Sequence, residues 1–215
     1  MSLRVRYQTY EFGGIDIHIR ALRDRQEFED EDGAGEALGI SSAMWSLFGI
    51  VWPSGLVLAH YMLGQDVAGK RILEVGCGLG MTTILLNHLQ ADITATDYHP
   101  EVEAFLRENI ALNGDEMVPF VRTDWSDPPT DLGRFDLIVG SDLLYEDYNI
   151  SVLVDFIEQH STPDGEMILV DPNRGLQNKF SRQMEDLGFE LEKHQPDTEA
   201  YLEDAFEGVV LRFSR

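Results

Sequence analysis

The sequence predicts an α/β fold in which a seven-stranded, mostly parallel sheet carries helices on both faces, its last strands run antiparallel, and a β-hairpin precedes it at the N-terminus. Three observations carry that expectation. From Arg71 onward, short apolar runs alternate with stretches of helical periodicity, the pattern of βαβ units. One of those runs enters the turn Gly76-Cys77-Gly78-Leu79-Gly80, and a helical stretch follows it. Near the N-terminus, Gly13-Gly14 separates two segments, the second alternating Ile15, Ile17 and Ile19 against Asp16, His18 and Arg20.

Taken in order, the hairpin strands are Tyr7 to Phe12 and Ile15 to Ala21. The acidic, glycine-containing stretch Glu27 to Glu36 reads as a mobile linker. The chain therefore divides into a hairpin with its linker over 1–38 and a main domain over 39–215. Pro53 to Leu63 reads as a helix stopped by Gly64, with Leu56, Ala59, His60 and Leu63 on one face. The strands of the sheet are Arg71 to Val75, Ile93 to Thr96, Phe120 to Arg122, Phe135 to Gly140, Met167 to Val170, Phe189 to Lys193 and Val209 to Phe213. Between them, helices are expected at Met81 to Leu89, Glu101 to Leu112, Ser151 to Gln159 and Gln177 to Leu187. The gap Thr123 to Arg134 is rich in Pro and Asp and holds little regular helix, and its Ser126-Asp127-Pro128-Pro129-Thr130 reads as a loop. Gln195 to Gly208 contains no crossover helix, so the final two strands are expected to pair antiparallel at the sheet edge.

Composition narrows the function classes. At 215 residues, with 43% hydrophobic and 26% charged side chains, the chain suits one compact domain with additions, and wholesale disorder is excluded. Acidic residues number 39 against 16 basic ones, a formal net charge of −23. Such a surface repels phosphate backbones and anionic lipids and favours cationic partners, so nucleic acid is not the expected substrate. The single cysteine, Cys77, has no internal disulfide partner and the opening residues lack the apolar core of a secretory signal, which points to the cytoplasm. Ile40 to Leu63 carries no Asp, Glu, Lys or Arg, but serines, glycines and the Trp52-Pro53-Ser54-Gly55 run interrupt it. It reads as a buried segment under a ligand site, and no membrane is expected. The six histidines show no metal-ligand spacing, and no metal is expected.

The glycine turn is the strongest chemical signal. Glycines accept positive φ and let a ligand approach the backbone, while the helix N-terminus that follows offers N–H groups, so a small cofactor is expected there. A dinucleotide fingerprint has the spacing G-x-G-x-x-G; here Met81 stands where its third glycine would be, and Gly80 makes the spacing G-x-G-x-G, which argues against NAD. Asp97 closes the next strand, about 20 residues beyond the first glycine, where a carboxylate can accept both ribose hydroxyls. Asp124 closes the strand after that.

On the pattern Glu74-x-Gly76-x-Gly78-x-Gly80, then Asp97, then Asp124, the chain from about Trp52 to Arg215 resembles the seven-strand, Rossmann-like, S-adenosylmethionine-dependent methyltransferases. The resemblance implies that the glycine loop and Glu74 face the methionine part of S-adenosylmethionine, that Asp97 holds the ribose, and that Asp124 with Trp125 borders the adenine. Two further motifs, Val51-Trp52-Pro53-Ser54-Gly55 and Gly140-Ser141-Asp142-Leu143-Leu144-Tyr145, are similar to those of the protein-lysine methyltransferases of the electron-transfer-flavoprotein β-subunit and calmodulin branch. Asp171-Pro172-Asn173-Arg174 is similar to the flavoprotein-directed members. The closer resemblance implies Trp52 and Ser141 beside the cofactor. It also implies that Asp142 and Tyr145, a D-x-x-Y motif at the carboxyl end of a central strand, line the acceptor site.

The expected activity is methyl transfer to a nitrogen, with a protein lysine in a basic acceptor region as leading acceptor. A small-molecule amine, or another small-molecule N- or O-acceptor, is the alternative. A cofactor-binding module without turnover is the reading from another class, and the protein is expected to be a monomer. Lysine, with an ordinary pKa of about 10.4, is almost wholly protonated at neutral pH, so the site must help to free its lone pair. Asp142 is expected to meet the ammonium and orient the amine with the Tyr145 hydroxyl beside it; whether Asp142 also takes the proton stays open. Structural alternatives are Asp142 as a helix cap, Tyr145 as a core aromatic, and Trp52 and Cys77 as filler; Glu74 satisfied by backbone N–H groups is compatible with also facing the cofactor, and His99 reads as a surface turn before Pro100 rather than an adenosine contact. The acidic stretch Asp197 to Glu207, with Tyr201 and Phe206 inside it, is expected on the acceptor side, either recruiting a basic partner or simply solvated.

Overall fold

The computed structural model describes residues 3–25, 28–127 and 131–215. Val5–Phe12 (β1) and Ile15–Leu22 (β2) form the expected antiparallel hairpin, closed by Gly13 and Gly14 at φ 59° and 89°. Positive φ at both turn positions is what a two-residue loop of this twist requires. Phe12, Ile17, Ile19 and Ala21 are fully buried, so the alternation read in the sequence does mark a core-facing side.

The outer edge of β2 would leave backbone groups unpaired, and helix α4 (Val102–Leu112) supplies the partners. Asn109 accepts the Arg20 N–H at 2.7 Å and donates to the Arg20 carbonyl at 3.2 Å. Asn113, one turn later, makes the same pair of bonds with His18, both at 2.8 Å. Two side-chain amides thus stand in for a neighbouring strand and fix the hairpin to the helical layer.

The stretch expected to be a mobile linker is instead folded against the core, with its first residue, Glu27, outside the described residues. Asp30 accepts the N–H groups of Gly35 and Glu36 at 3.0 and 2.8 Å and so caps a short helix, α1 (Ala34–Ala37). Phe28 packs edge-on against Phe48 and His99. A carboxylate with local N–H partners and one half-buried aromatic outweigh the acidic, glycine-containing composition. A 3-10 turn, Leu47–Gly49, then leads to α2 (Pro53–Leu63), where Pro53 sits at the helix start that its missing N–H permits. Val57, Leu58, Ala59 and Met62 are buried along with Leu56, so α2 is covered over a wider arc than the single face expected, and His60 is only half-buried.

The main sheet contains β3 (Arg71–Val75), β4 (Asp92–Asp97), β5 (Phe120–Arg122), β6 (Phe135–Ser141), β7 (Ser161–Asp171), β8 (Glu190–His194) and β9 (Val209–Ser214), in the order β5-β4-β3-β6-β7-β9-β8. The first five pair in parallel, and β9 lies antiparallel between β7 and β8. β7 begins six positions before the expected Met167, because its register shifts near Phe135 and the turn-like Ser161-Thr162-Pro163-Asp164-Gly165 is carried within the strand. Among the described residues, 123–127 and 131–134 contain turns and no helix; Pro128, Pro129 and Thr130 of the expected loop lie outside them.

The two sheet faces bury different sets. Leu73, Val75, Ile138, Met167, Leu169 and Phe213 lie under α5 (Asn149–His160) and α6 (Gln177–Asp186). Ile72, Ile93, Leu137, Val139, Ile168 and Val170 lie under α2 and α3 (Met81–His88). The hairpin adds a further layer over α2, α3 and α4. Among the described residues no helix is long and apolar enough to cross a membrane.

Candidate active site

Chain order reverses between β4 and β6, which flank β3, and in an open α/β sheet the crevice at the carboxyl ends of such strands is where ligands bind. The glycine turn lies there. Gly76, Gly78 and Gly80 have φ of 64°, 52° and 77°, and a Cβ on Gly76 or Gly78 would come within 2.7 Å of the Leu143 side chain or 3.1 Å of the Phe48 carbonyl. The positive φ values favour glycine, and the Phe48 carbonyl leaves little room for a Cβ at Gly78. The loop is tied to the end of β4: Cys77 N–H donates to the Thr96 carbonyl at 3.0 Å, and Gly78 N–H donates to Asp97 Oδ2 at 2.9 Å. Asp97 Oδ1 accepts the His99 N–H at 2.9 Å. Burial pushes the Asp97 carboxyl up, and these N–H groups pull it back down. Each carboxylate oxygen keeps a further lone-pair site, the acceptor capacity that two vicinal hydroxyls need.

Glu74 is held from the helix side. Its Oε2 accepts the Thr83 N–H at 2.8 Å together with the Thr83 hydroxyl, so a β3 carboxylate caps the first turn of α3. Desolvation, with Asp97 nearby, raises its pKa to about 7 against the opposing Thr83 bonds. Cys77 is buried and its thiol is pushed well up by burial and by Asp97 and Glu74, so it is a small protonated filler. His99 is a correction: it does not sit in a surface turn but is buried and stacked on Phe48 at 4.1 Å, and desolvation lowers its pKa to about 4. Asp124 Oδ1 accepts both the N–H and the hydroxyl of Ser126 at 2.7 Å, which leaves Trp125 half-buried against the α5 and α6 side of the core. Trp52 is also half-buried; its Nε1–H donates to the Leu47 carbonyl at 3.0 Å, and the Arg25 guanidinium lies 4.5 Å over its ring.

The D-x-x-Y segment leaves β6 beside the glycine loop. Ser141 ends the strand facing Gly55 of α2, whose added Cβ would lie 3.6 Å from the Ser141 Oγ. Asp142 has φ 58°, a left-handed conformation that Asp tolerates, and its N–H donates to the Val170 carbonyl at 2.9 Å. It caps no helix, since α5 begins at Asn149. Its carboxylate is held by Arg174 through Nε at 2.6 Å and Nη2 at 2.9 Å, and Ser54 Oγ lies 3.5 Å from Oδ2. Tyr145 is 43% exposed, which removes the core-aromatic reading. Its phenol is pushed up to about 12, first by desolvation and then by the charges of Glu146, Asp97, Tyr148 and Asp124. It is therefore neutral at physiological pH, and it shares one negative crevice with the strand-end acids.

No local signal in the sequence marks Arg174 or Ser54 as a partner of Asp142, or Phe48 as a partner of His99. Arg174 was visible as part of a motif, but its reach to Asp142 joins the ends of two strands and has no local signature. The Asp171-to-Arg174 turn is rigid: buried Asp171 accepts at Oδ1 from Asn173 N–H at 2.8 Å, Arg174 N–H at 3.3 Å and Gln177 Nε2 at 2.8 Å. The connection 195–208 ends beside this turn, since Asp171 pairs with Val209, and begins one strand further out, where His194 pairs with Val210. Tyr201 stacks on His60 at 3.6 Å, while Asp197, Glu199, Glu203 and Asp204 are exposed. Among the described residues no cluster of three or more His, Cys, Asp or Glu side chains is arranged to hold a metal.

By strand order and the position of its glycine loop, the fold is that of the Rossmann-like methyltransferases. The T. Thermophilus 16S rRNA N2 G1207 methyltransferase, solved with AdoMet and guanosine, superposes with a TM-score of 0.69 at 17% identity, over 100% of this chain and 51% of that one. The lysine methyltransferase family matches residues 37–187, and the chain belongs to that family. Its relatives include the protein N-lysine methyltransferase METTL21A of Danio rerio, 32% identical over 58% of this chain and 62% of the relative. The electron transfer flavoprotein beta subunit lysine methyltransferase of Mus musculus is 30% identical over 74% of this chain and 61% of the relative. The chain thus spans about three fifths of the length of these curated relatives.

Proposed function

We propose that the protein is an S-adenosylmethionine-dependent methyltransferase whose acceptor is a protein lysine side chain, presented on a basic segment. The observation that carries this reading is the juxtaposition of Asp142 and Tyr145 with the glycine loop at the sheet's switch point, in a chain of the lysine methyltransferase family. The cofactor supplies a methyl group on a sulfonium, which makes it an electrophile and a cation. Asp97 would take the ribose and the loop from Gly76 to Gly80 the methionine part, with Trp52, Asp124, Trp125 and Ser141 assigned to the cofactor's surroundings. Glu74 acts behind the loop, fixing the start of α3.

The remaining chemistry belongs to the acceptor. An in-line displacement needs the amine nitrogen aligned and its lone pair free. Asp142 meets the ammonium and orients the nitrogen, and the neutral Tyr145 hydroxyl supplies a hydrogen bond beside it. The exposed acids of the 195–208 connection lie at the same end of the sheet and suit a basic acceptor segment. A single buried cysteine suits the reducing cytoplasm.

A thermal-shift experiment tests the cofactor half of the proposal, since a ligand that binds only the folded state raises the melting temperature. S-adenosylmethionine and S-adenosylhomocysteine should raise it while NAD should not. A shift with NAD and none with the two sulfur ligands would overturn the reading.

A further inference from the structure

Asp142 does not wait empty for an acceptor. Two Arg174 nitrogens donate to its two oxygens at 2.6 and 2.9 Å, a bidentate fork that uses the carboxylate's strongest acceptor directions. The Asp142 side chain is 11% exposed and that of Arg174 is 42% exposed, so the guanidinium is the solvent-side partner. Resting on the function proposed above, we propose that Arg174 is a resident cation in the acceptor site and a specificity-determining residue, displaced by the ammonium of the acceptor.

The physical argument is one of charge replacement. Removing the guanidinium from a largely buried carboxylate leaves a charge without a partner, which costs far more than breaking an exposed pair. A lysine ammonium restores the lost charge and the hydrogen bonds; a hydroxyl or other neutral acceptor restores neither. The pair therefore selects cationic amines over neutral acceptors before any chemistry occurs. The anchoring of Arg174 suits such an exchange. Its backbone is fixed by the Asp171 turn, whereas its long side chain opens onto solvent, where it can swing once Asp142 has another partner. Buried Asp171 leaves Oδ2 without a partner among the described residues and its charge acts on Arg174, so a guanidinium leaving Asp142 stays in the field of a second carboxylate.

The test needs no identified acceptor. Sinefungin carries an ammonium where S-adenosylmethionine carries its transferable methyl, and S-adenosylhomocysteine carries neither. The carbon-for-sulfur difference between these two ligands is common to all variants, so a change in the ratio of their calorimetric affinities reports on the amine. In Arg174→Ala and Arg174→Gln, each checked for fold by circular dichroism, the ratio should move toward sinefungin by about tenfold, the scale of one charge-assisted hydrogen bond. In Arg174→Lys it should stay at the wild-type value, and in the double variant Arg174→Ala with Asp142→Asn the gain should vanish. An unchanged ratio in folded Arg174→Gln overturns the proposal while leaving the cofactor assignment intact. Failure of both ligands to bind the wild-type protein would instead overturn the cofactor assignment, and this inference with it.

Discussion

If Asp142 and Tyr145 meet the acceptor, and Asp97 and the glycine loop meet the cofactor, as proposed, substitutions should separate the two. Asp142→Ala and Tyr145→Phe should leave S-adenosylmethionine affinity nearly unchanged, because the lost contacts are to the amine. Turnover should fall roughly 10²-fold or more for Asp142→Ala, the scale of a positioned acid–base or orienting group, and less for Tyr145→Phe. Full turnover in both folded variants would remove them from the site. Glu74 offers a different readout. Its folded pKa of about 7 lies above its ordinary 4.5, so the folded state holds the proton more tightly and stability falls as pH rises between those values. His99, at about 4 against 6.5, acts in the opposite sense, its contribution being lost as pH falls through that window. Comparing wild type with Glu74→Gln cancels the histidine. The stability difference should turn against the wild type by on the order of 3 kcal/mol on going from acid to neutral pH. A pH-independent difference in denaturant unfolding would contradict the assignment.

The elements that alternate apolar and polar residues were legible from sequence, and the ones held by distant partners were not. β3 and β5 begin and end where the apolar runs do, and α2 starts at its proline and stops before Gly64, because local pattern alone decides those ends. The shelf of 38–50 has no periodicity. Its order comes from Phe48 stacked on His99 and from the Tyr98 hydroxyl bonded to the Leu38 carbonyl, contacts far apart in the chain. The same holds for the hairpin's attachment. The alternation marked its buried face, but nothing local marked Asn109 and Asn113 as the partners of its free edge. Asn109 is fully buried, so Asn109→Ala should cost about 2 kcal/mol or more by orphaning the Arg20 backbone groups, whereas Asn113→Ala should cost less because water can take over. Equal, small losses in chemical denaturation would mean that apolar packing alone holds the hairpin.

On the scale of the molecule, the charge of −23 and the negative crevice both suit the cationic acceptor proposed above. Neutralising Asp197, Glu199, Glu203 and Asp204 together should raise the apparent KM for a basic protein acceptor, and added salt should narrow the gap to the wild type. Equal KM values at low salt would make the connection a solvated loop. The glycine loop, Asp97 and the D-x-x-Y segment were readable as a site because each ends a strand at the switch point, whereas the acceptor's identity depends on surface complementarity that no short motif encodes. The central claim, methyl transfer to protein lysine, is tested most directly by incubating the protein with S-adenosylmethionine labelled on the methyl group and a cell lysate, then hydrolysing the labelled protein fraction to amino acids. Label is expected in Nε-methylated lysine and should be abolished by Asp142→Ala; label confined to small molecules, or recovered in another amino acid, would contradict lysine methylation.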